Sequence, residues 1–324
     1  MRVLVTGSNG FIGSALSEQL LKEADVRCLI RKTSNTRWIR DLDVEFVYAD
    51  LRYPETLADA VRDVDVVYHT GGVTKGRKEE DYMLGNYQTT VNLLEASRQY
   101  GPDHQKIVMV SSQAAGGAAV DGRPRIETDP PEPVSRYGRS KLKAEQVLLG
   151  QSDRPAVVIR PPSVYGPRDK DFYIMFRQIK RGLVPIAGLG RQTLSLVYVS
   201  DLVEGIMRAG NSPNADHQIY YISGNGVYTW KTLTRAMQQS MGRMALRLYI
   251  PKFLVTAVAW VSEASAIVTD KPALLNRDKI REMKQSAWVC SNEKAKQELG
   301  FEPGIDINQG FQRTADWYKQ VGWL

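Results

Sequence analysis

Cysteine is scarce in this sequence. Cys28 and Cys290 are its only cysteines among 324 residues; they lie far apart in unlike contexts, and the chain opens on a predicted strand rather than on a signal peptide. This pattern excludes a disulfide framework and predicts a reducing, cytoplasmic location. No metal site is predicted either.

Long apolar runs are also missing. The longest, Phe253 to Val268, is interrupted by Glu263 and by several Ser and Thr residues, and it is shorter than the roughly 20 residues that span a bilayer. A transmembrane segment is therefore excluded. We expect this run to form a buried helix of a smaller lobe. The alternatives are the apolar wall of a substrate pocket or a peripheral membrane contact.

Charge is unbalanced without an obvious cluster. The 43 Lys and Arg residues exceed the 36 Asp and Glu residues, which gives a net charge of +7, but no basic stripe interleaved with aromatic residues occurs. A solvated basic surface is therefore favoured over a nucleic-acid interface. The length and the ordinary globular composition predict one large domain with a smaller lobe.

Six short apolar runs alternate with helical patterns in the first half of the chain. Runs without polar alternation are typical of parallel strands that are covered on both faces, so we predict a doubly wound α/β sheet of the Rossmann type. The runs are Arg2 to Thr6, Val26 to Ile30, Val44 to Tyr48, Val64 to His69, Lys106 to Ser111 and Ala156 to Arg160.

Glycine and proline become frequent after Pro161 and Pro162, which marks a change of lobe. We predict a dinucleotide-binding domain over residues 1–165 and a mostly helical substrate-binding lobe over residues 166–324. Residues from about 193 to 222 are expected to return to the first domain.

Three glycines follow the first predicted strand. Gly7 permits a tight turn, Gly10 allows the backbone to approach a pyrophosphate, and Gly13 allows a helix to pack closely on the strand. The spacing is G-x-x-G-x-x-G, and its position between a strand and an amphipathic helix predicts a dinucleotide site. The intervening cofactor contacts are expected from Asn9, Phe11 and Ile12.

The second predicted strand ends without a carboxylate. Arg31 and Lys32 stand there instead and would pair with a 2′-phosphate, while Ser34 would add a hydrogen bond. NADP(H) is therefore favoured, with NAD(H) as the alternative, because surface basic residues often bind nothing specific. Asp50 and Leu51, after the third strand, are candidates for contacts with the adenine edge.

A tyrosine and a lysine four residues apart open a long helical pattern. Tyr137 and Lys141 would share one face of that helix, and the ammonium is expected to lower the high pKa of the phenol. Ser112, at the end of the fifth strand, is placed to hold the oxygen of a reacting substrate. These three residues form the candidate catalytic set.

The glycine loop, the Tyr-x-x-x-Lys pair and the Ser-Ser pair together resemble the extended short-chain dehydrogenase/reductase family, also called the NAD-dependent epimerase/dehydratase family. Further matching segments run from Asn86 to Leu94, from Arg160 to Pro167 and from Val197 to Leu202, so the resemblance covers essentially the whole chain.

The resemblance implies a role for each matching residue. Tyr137 is the general acid/base, Lys141 also binds the nicotinamide ribose, Ser112 polarises the reacting oxygen, and Asn86 supports the active-site helix. The residues that flank the nicotinamide are Pro161, Ser163 and Val164. A homodimer is also implied, packed through the helices around 86–99 and 137–149. His69 stands where many members differ, and we expect no catalytic role for it.

Two reaction classes fit this family. Nucleotide-sugar members often carry an Arg where Leu194 stands here, so a diphosphate clamp is missing unless Arg191 replaces it. The sequence looks more like the hydroxysteroid-dehydrogenase and dihydroflavonol-reductase branch. We therefore expect hydride transfer between the nicotinamide and a carbonyl or secondary alcohol of a fairly apolar small molecule. Candidate substrate-binding residues are Gln113, Tyr165 and Arg191. The alternatives are a nucleotide-sugar 4-epimerase or dehydratase and a non-catalytic, cofactor-binding scaffold.

Overall fold

The predicted apolar runs form the strands of one parallel sheet. The computed structural model describes residues 1–151, 153–269 and 277–324. Its strands are β1 (Arg2–Thr6), β2 (Asp25–Ile30), β3 (Glu45–Tyr48), β4 (Val66–His69), β5 (Lys106–Val110), β6 (Ala156–Arg160), β7 (Ser163–Tyr165), β8 (Leu183–Ala187), β9 (Thr193–Tyr198), β10 (Gln218–Tyr221), β11 (Val227–Thr229), β12 (Leu246–Ile250) and β13 (Ala287–Trp288). The main sheet has the order β10-β6-β5-β4-β1-β2-β3. The predicted doubly wound fold is confirmed, with one strand added beyond β6.

Helices cover both faces of this sheet. They are α1 (Phe11–Leu20), α2 (Ala58–Val61), α3 (Glu79–Tyr82), α4 (Thr89–Tyr100), α5 (Gln113–Gly116), α6 (Arg136–Gln151), α7 (Asp171–Lys180), α8 (Val199–Asn211), α9 (Trp230–Met241), α10 (Lys252–Thr269), α11 (Arg277–Lys284), α12 (Glu293–Leu299) and α13 (Ile307–Gln320). A π-helix spans Met83–Gln88, and short 3-10 helices span Pro54–Thr56 and Pro213–Ala215.

The central strands are largely apolar because each of their faces packs in a separate core. Val3 and Val5 of β1 join a cluster that includes residues of α1 and α8. Leu4 points to the opposite face, into a cluster with residues of α4 and α6. The strand register keeps side chains of the same core opposite one another: Val3 lies opposite Val26 of β2 and Val66 of β4. The carboxyl ends of the strands therefore meet at one edge, which carries the site.

The C-terminal part of the chain combines helices with short strands that the sequence did not predict. Strand β9 pairs with β7, β11 and β13 in a second sheet, and β8 pairs with β12. An aromatic cluster that includes Phe176, Phe311 and Tyr318 fills this lobe. Within the segment 193–222, expected to return to the first domain, α8 packs in the main core and β10 joins the main sheet, whereas β9 lies in the second sheet.

The longest apolar run of the sequence forms helix α10, but its first turns face solvent. Phe253 is 71% exposed and Val258 is 58% exposed, so the expectation of a buried helix is wrong for this part. The side chains at 260, 261 and 263–268 lie outside the described residues. None of the helices in the described ranges has the length and hydropathy needed to cross a bilayer.

Candidate active site

The glycine loop joins β1 to α1 and can be built only from glycine at two points. Gly7 has a φ of +67°, and a Cβ atom there would lie 2.8 Å from the backbone of Gly71. A Cβ atom at Gly13 would lie 2.3 Å from the carbonyl oxygen of Gly7. Helix α1 begins after Gly10 without a side-chain cap. Its first amide groups are therefore available for an anion, and the loop fits a dinucleotide pyrophosphate.

The loop after β2 lies beside the glycine loop. The Nδ2 group of Asn9 donates a hydrogen bond to the carbonyl oxygen of Asn35, over 3.5 Å. Arg31 and Lys32 are exposed in this loop, and the hydroxyl of Ser34 accepts a hydrogen bond from the amide of Arg31 over 3.1 Å. The three residues proposed to bind a 2′-phosphate therefore share one short turn at the edge of the cofactor site.

The loop after β3 is organised by its own side chains. Arg52 forms an ion pair with Asp50 over 2.6 Å, and this hydrogen bond holds the pKa of Asp50 below its usual value. Leu51 lies beside Gly71, the residue that packs against Gly7 of the glycine loop. The Cδ1 atom of Leu51 is 3.2 Å from the position that a Cβ atom of Gly71 would occupy. Its carbonyl oxygen accepts a hydrogen bond from Asn92. Contacts of Asp50 and Leu51 with an adenine remain predictions.

The candidate catalytic residues meet at the carboxyl end of β5. Tyr137 lies in the first turn of α6 and hydrogen-bonds to Ser112, which follows β5. Lys141 lies one turn further along α6, and its Nζ atom donates a hydrogen bond to the carbonyl oxygen of Val110 over 2.8 Å. Residues from two elements distant in sequence thus form one cluster, in which Lys141 is buried and Tyr137 and Ser112 are half-buried.

Burial sets the protonation of this cluster. It raises the pKa of Tyr137 to about 12, although the hydrogen bond with Ser112 acts in the opposite direction. It lowers the pKa of Lys141 to about 8, against the attraction of Glu145. The net shift in the pKa of Tyr137 is therefore upward, since the cost of ionising the phenol away from water dominates. That Lys141 lowers this pKa stays a prediction. At neutral pH Tyr137 holds its proton, as a general acid must.

Asn86 links the π-helix to α6. Its Oδ1 atom accepts a hydrogen bond from the amide of Val73 over 2.8 Å, and its Nδ2 group donates to the hydroxyl of Ser140 over 2.9 Å. Ser140 directly precedes Lys141. Asn86 is 1% exposed, so these bonds are made in a site shielded from water.

A buried ion pair beneath the cluster escaped the sequence analysis. Glu145 and Arg160 are 1% and 2% exposed, and Arg160 binds the carboxylate through Nη2 at 2.5 Å and Nε at 3.0 Å. The hydroxyl of Ser111 donates a short hydrogen bond to the same carboxylate. Glu145 therefore joins α6 to the ends of β5 and β6. The available signal was its place four residues after Lys141, on the same helical face.

His69 is held as a neutral structural residue. Its ring nitrogens lie 2.7 Å from the hydroxyl of Thr6 and 3.1 Å from that of Thr90, and burial lowers its pKa to about 3. These contacts join β4 to β1 and α4.

The candidate substrate residues do not all lie together. Gln113 follows Ser112 and is buried, and among the described residues no partner is found for its Nε2 atom. The backbone N–H of Gln113 donates a hydrogen bond to the carbonyl oxygen of Pro161. This bond places the segment predicted to flank the nicotinamide beside Ser112. Tyr165 instead lies in the C-terminal aromatic cluster, 4.8 Å from Phe311 between ring centres, and lines a pocket of about 180 Å³ with Tyr228.

The remaining candidates lie in β7 and before β9. Ser163 is exposed and Val164 is half-buried at the start of β7. Arg191 is exposed, next to Gln192, which donates hydrogen bonds to carbonyl oxygens of Glu282 and Gln285 beside α11. Leu194, two residues further on, is buried in the C-terminal cluster.

Comparison with known proteins shows where this chain has relatives. The model of a family described as the NAD dependent epimerase/dehydratase family matches residues 3–223. The chain is 27% identical over 326 residues to a ceramide reductase of Caulobacter vibrioides, covering 99% of this chain and 96% of the relative. It is 25% identical to 4-hydroxy-2-methyl-3-oxo-4-farnesyl-3,4-dihydroquinoline-1-oxide ketoreductase of Stigmatella aurantiaca, covering 99% and 97%. It is also 25% identical to a UDP-glucose 4-epimerase of Vibrio cholerae, covering 98% and 96%.

Proposed function

This chain belongs to the NAD dependent epimerase/dehydratase family, and we propose that within it the protein is a reductase or dehydrogenase. It transfers a hydride between NADP(H) and a carbonyl or secondary alcohol of a fairly apolar small molecule. The observation that carries this proposal is the cluster of Tyr137, Ser112 and Lys141 at the carboxyl end of β5. A scaffold that only binds the cofactor has no use for such a cluster, so that alternative is disfavoured.

The cofactor would lie along the carboxyl edge of the main sheet. Gly7, Gly10 and Gly13 would hold the pyrophosphate, with Asn9, Phe11 and Ile12 in the same loop. Lys141 would bind the nicotinamide ribose, and Pro161, Ser163 and Val164 would flank the nicotinamide. When bound, NADPH supplies the hydride.

The protein's own groups would handle the substrate oxygen and its proton. In reduction Tyr137 donates its proton to the carbonyl oxygen as negative charge develops there, and Ser112 holds that oxygen by a hydrogen bond. Because burial keeps Tyr137 protonated, the proton that reduction requires is already on its hydroxyl. Lys141 offsets the charge left on the phenolate. The same groups in reverse would remove the proton from an alcohol.

An apolar substrate is supported by one residue of β9 and by two relatives. Leu194 is buried in an apolar cluster and offers no hydrogen bond to a diphosphate. The ceramide reductase and the farnesyl-dihydroquinoline ketoreductase to which the chain is similar are named for the reduction of large apolar molecules. Gln113, whose buried Nε2 atom has no hydrogen-bond partner among the described residues, is the candidate polar contact. A nucleotide-sugar 4-epimerase is the second candidate, because the Vibrio relative carries that name and the exposed Arg191 remains able to bind a phosphate.

Ligand binding separates these reactions. Thermal unfolding should be measured with NADPH, NADH, UDP and UDP-glucose, because a ligand that binds the folded state raises the melting temperature. We expect NADPH to stabilise the protein most and the two uridine nucleotides to have no effect. Stabilisation by UDP or UDP-glucose would favour the epimerase and make Arg191 the residue to substitute.

Arg31→Asp should shift the cofactor preference from NADPH toward NADH. The substitution replaces a proposed phosphate ligand by a carboxylate, which repels the 2′-phosphate and can accept bonds from the ribose hydroxyls. The ratio of kcat/KM values for NADPH and NADH should fall at least about tenfold, the scale of one lost charge-assisted hydrogen bond. Arg40→Asp is the matched control, since Arg40 is exposed on the same segment and pairs with Asp41. An equal ratio in Arg31→Asp and wild type would show that Arg31 does not read the phosphate.

The homodimer also remains a proposal, with α4 and α6 as its interface. Analytical ultracentrifugation that finds only monomers would exclude it.

A further inference from the structure

An exposed apolar face lies on the C-terminal lobe, where β12 leads into α10. Leu246, Leu248, Phe253, Leu254 and Val258 are 69%, 52%, 71%, 46% and 58% exposed, and Leu183 of β8 is 47% exposed. We refer to these six residues as the apolar face. Exposed patches of this kind on a globular protein mark interaction sites more often than chance.

Strand pairing places the leucines of β12 and β8 on one surface. Leu246 lies directly opposite Leu183 in the parallel pair β12–β8. Arg247, between the two leucines of β12, points to the other side and donates a hydrogen bond to the hydroxyl of Thr234 in α9. Pro251 alone separates β12 from α10, so the exposed side chains continue from the strand onto the first turns of the helix.

The chain segments that carry this surface have a net positive charge because they lack acidic residues. Between Asp171 and Asp201, and again between Asp216 and Glu263, the chain has no acidic residue and has nine Lys and Arg residues. The other 249 residues hold 34 Lys and Arg against 36 Asp and Glu, so the excess of basic charge comes entirely from these two segments. The charge is therefore not evenly scattered. Arg181, Arg243 and Lys252, all exposed, adjoin the apolar face in sequence.

We propose that the apolar face, with Arg181, Arg243 and Lys252 around it, docks onto the surface of an anionic lipid bilayer. Exposed Leu and Phe side chains would enter the boundary of the acyl chains while the cations contact anionic headgroups. A second copy of this chain is a poor occupant, because it would bring the same positive charge against itself. A nucleic acid would match the charge but leaves leucine and phenylalanine without an apolar partner. This proposal rests on exposure and charge and is independent of the reaction proposed above.

Vesicle flotation tests this docking with the full chain. Wild-type protein is mixed with vesicles of phosphatidylcholine, or of phosphatidylcholine with one quarter phosphatidylglycerol, at low and high salt. We expect flotation with the anionic vesicles and weaker flotation at high salt. Failure to float with anionic vesicles would overturn the proposal.

Two sets of variants separate the contributions. The triple variant Leu246→Gln, Leu248→Gln, Phe253→Gln should bind at least about 100-fold more weakly, as expected for three large apolar side chains kept in water. The double variant Arg181→Gln, Lys252→Gln should bind about 30-fold more weakly to anionic vesicles only. Ile126→Gln and Val321→Gln are the controls, because these residues are exposed apolar side chains outside the face.

Folding and self-association are measured on the same samples. Melting temperatures show whether the triple variant folds. If it does not fold, the vesicle binding of the double variant and the salt dependence of the wild type test the docking proposal. Binding of the folded triple variant that equals wild type would overturn the proposal. So would a wild-type oligomer that this variant dissociates, since the face would then be covered by a second copy.

Discussion

Tyr137→Phe is expected to lower kcat by at least about 100-fold, the contribution of one positioned general acid. The substitution removes only the hydroxyl, which hydrogen-bonds to Ser112 in the candidate catalytic cluster. The ring is kept, so the packing around α6 and the cofactor loop should be preserved. The dissociation constant for NADPH, measured by fluorescence titration, should therefore stay within a factor of about three of wild type, below one lost hydrogen bond.

Tyr82→Phe provides the matched control for this result. The ring of Tyr82 lies 6.4 Å from that of Tyr137, and its hydroxyl donates to the carbonyl oxygen of Gly76 over 3.3 Å. It thus removes a hydroxyl from the same neighbourhood without touching the proposed acid, and kcat should be retained. Unchanged turnover in Tyr137→Phe would refute the proposed mechanism, and loss of both turnover and NADPH affinity would show a structural role instead.

Glu145→Leu is expected to lower the free energy of unfolding by about 3–5 kcal/mol, the usual cost of removing one partner from a buried ion pair. The loss would come chiefly from Arg160, whose guanidinium would remain buried with the hydroxyl of Tyr221, at 3.3 Å, as its one side-chain hydrogen-bond partner among the described residues. Ser111 would lose its acceptor as well. Urea unfolding followed by circular dichroism measures this change.

The double variant Glu145→Leu, Arg160→Met tests the cause. Because apolar side chains of similar size often replace a buried ion pair without loss, the double variant should recover most of the stability lost in the single one. Glu204→Leu is the control: Glu204 pairs with Arg208 on the surface of α8, where such a change is worth about 0.5 kcal/mol. Equal losses for Glu145→Leu and Glu204→Leu would show that burial of the pair has no energetic consequence.

The sequence predicted the main sheet because burial on both faces leaves a direct pattern. Runs such as Lys106 to Ser111 are apolar for several residues and lie between helical patterns, and they became strands within one or two residues of the predicted ends. Strands β11 and β13, of three and two residues, carry no such pattern. They form only because tertiary contacts bring β9 beside them.

Within the site, local spacing was informative and long-range pairing was not. The i, i+4 relation of Tyr137 and Lys141 needs only a helix, so the sequence was sufficient to place them together. Glu145 has the appearance of a solvated helical residue until its partner Arg160 is known, and that pairing depends on how β6 packs against α6. Likewise, apolar composition predicted that α10 would form a helix but not that Phe253 would face water.

The last strand of the main sheet has a consequence for how the protein is made. Strand β10 pairs with β6, and Tyr221 at its end contacts Arg160 beneath the catalytic cluster. During synthesis on the ribosome the first six strands emerge well before β10. The edge of β6 that pairs with β10 therefore stays unpaired while the intervening segment is synthesised. The main sheet is therefore completed only after the segment that follows β9 has been synthesised.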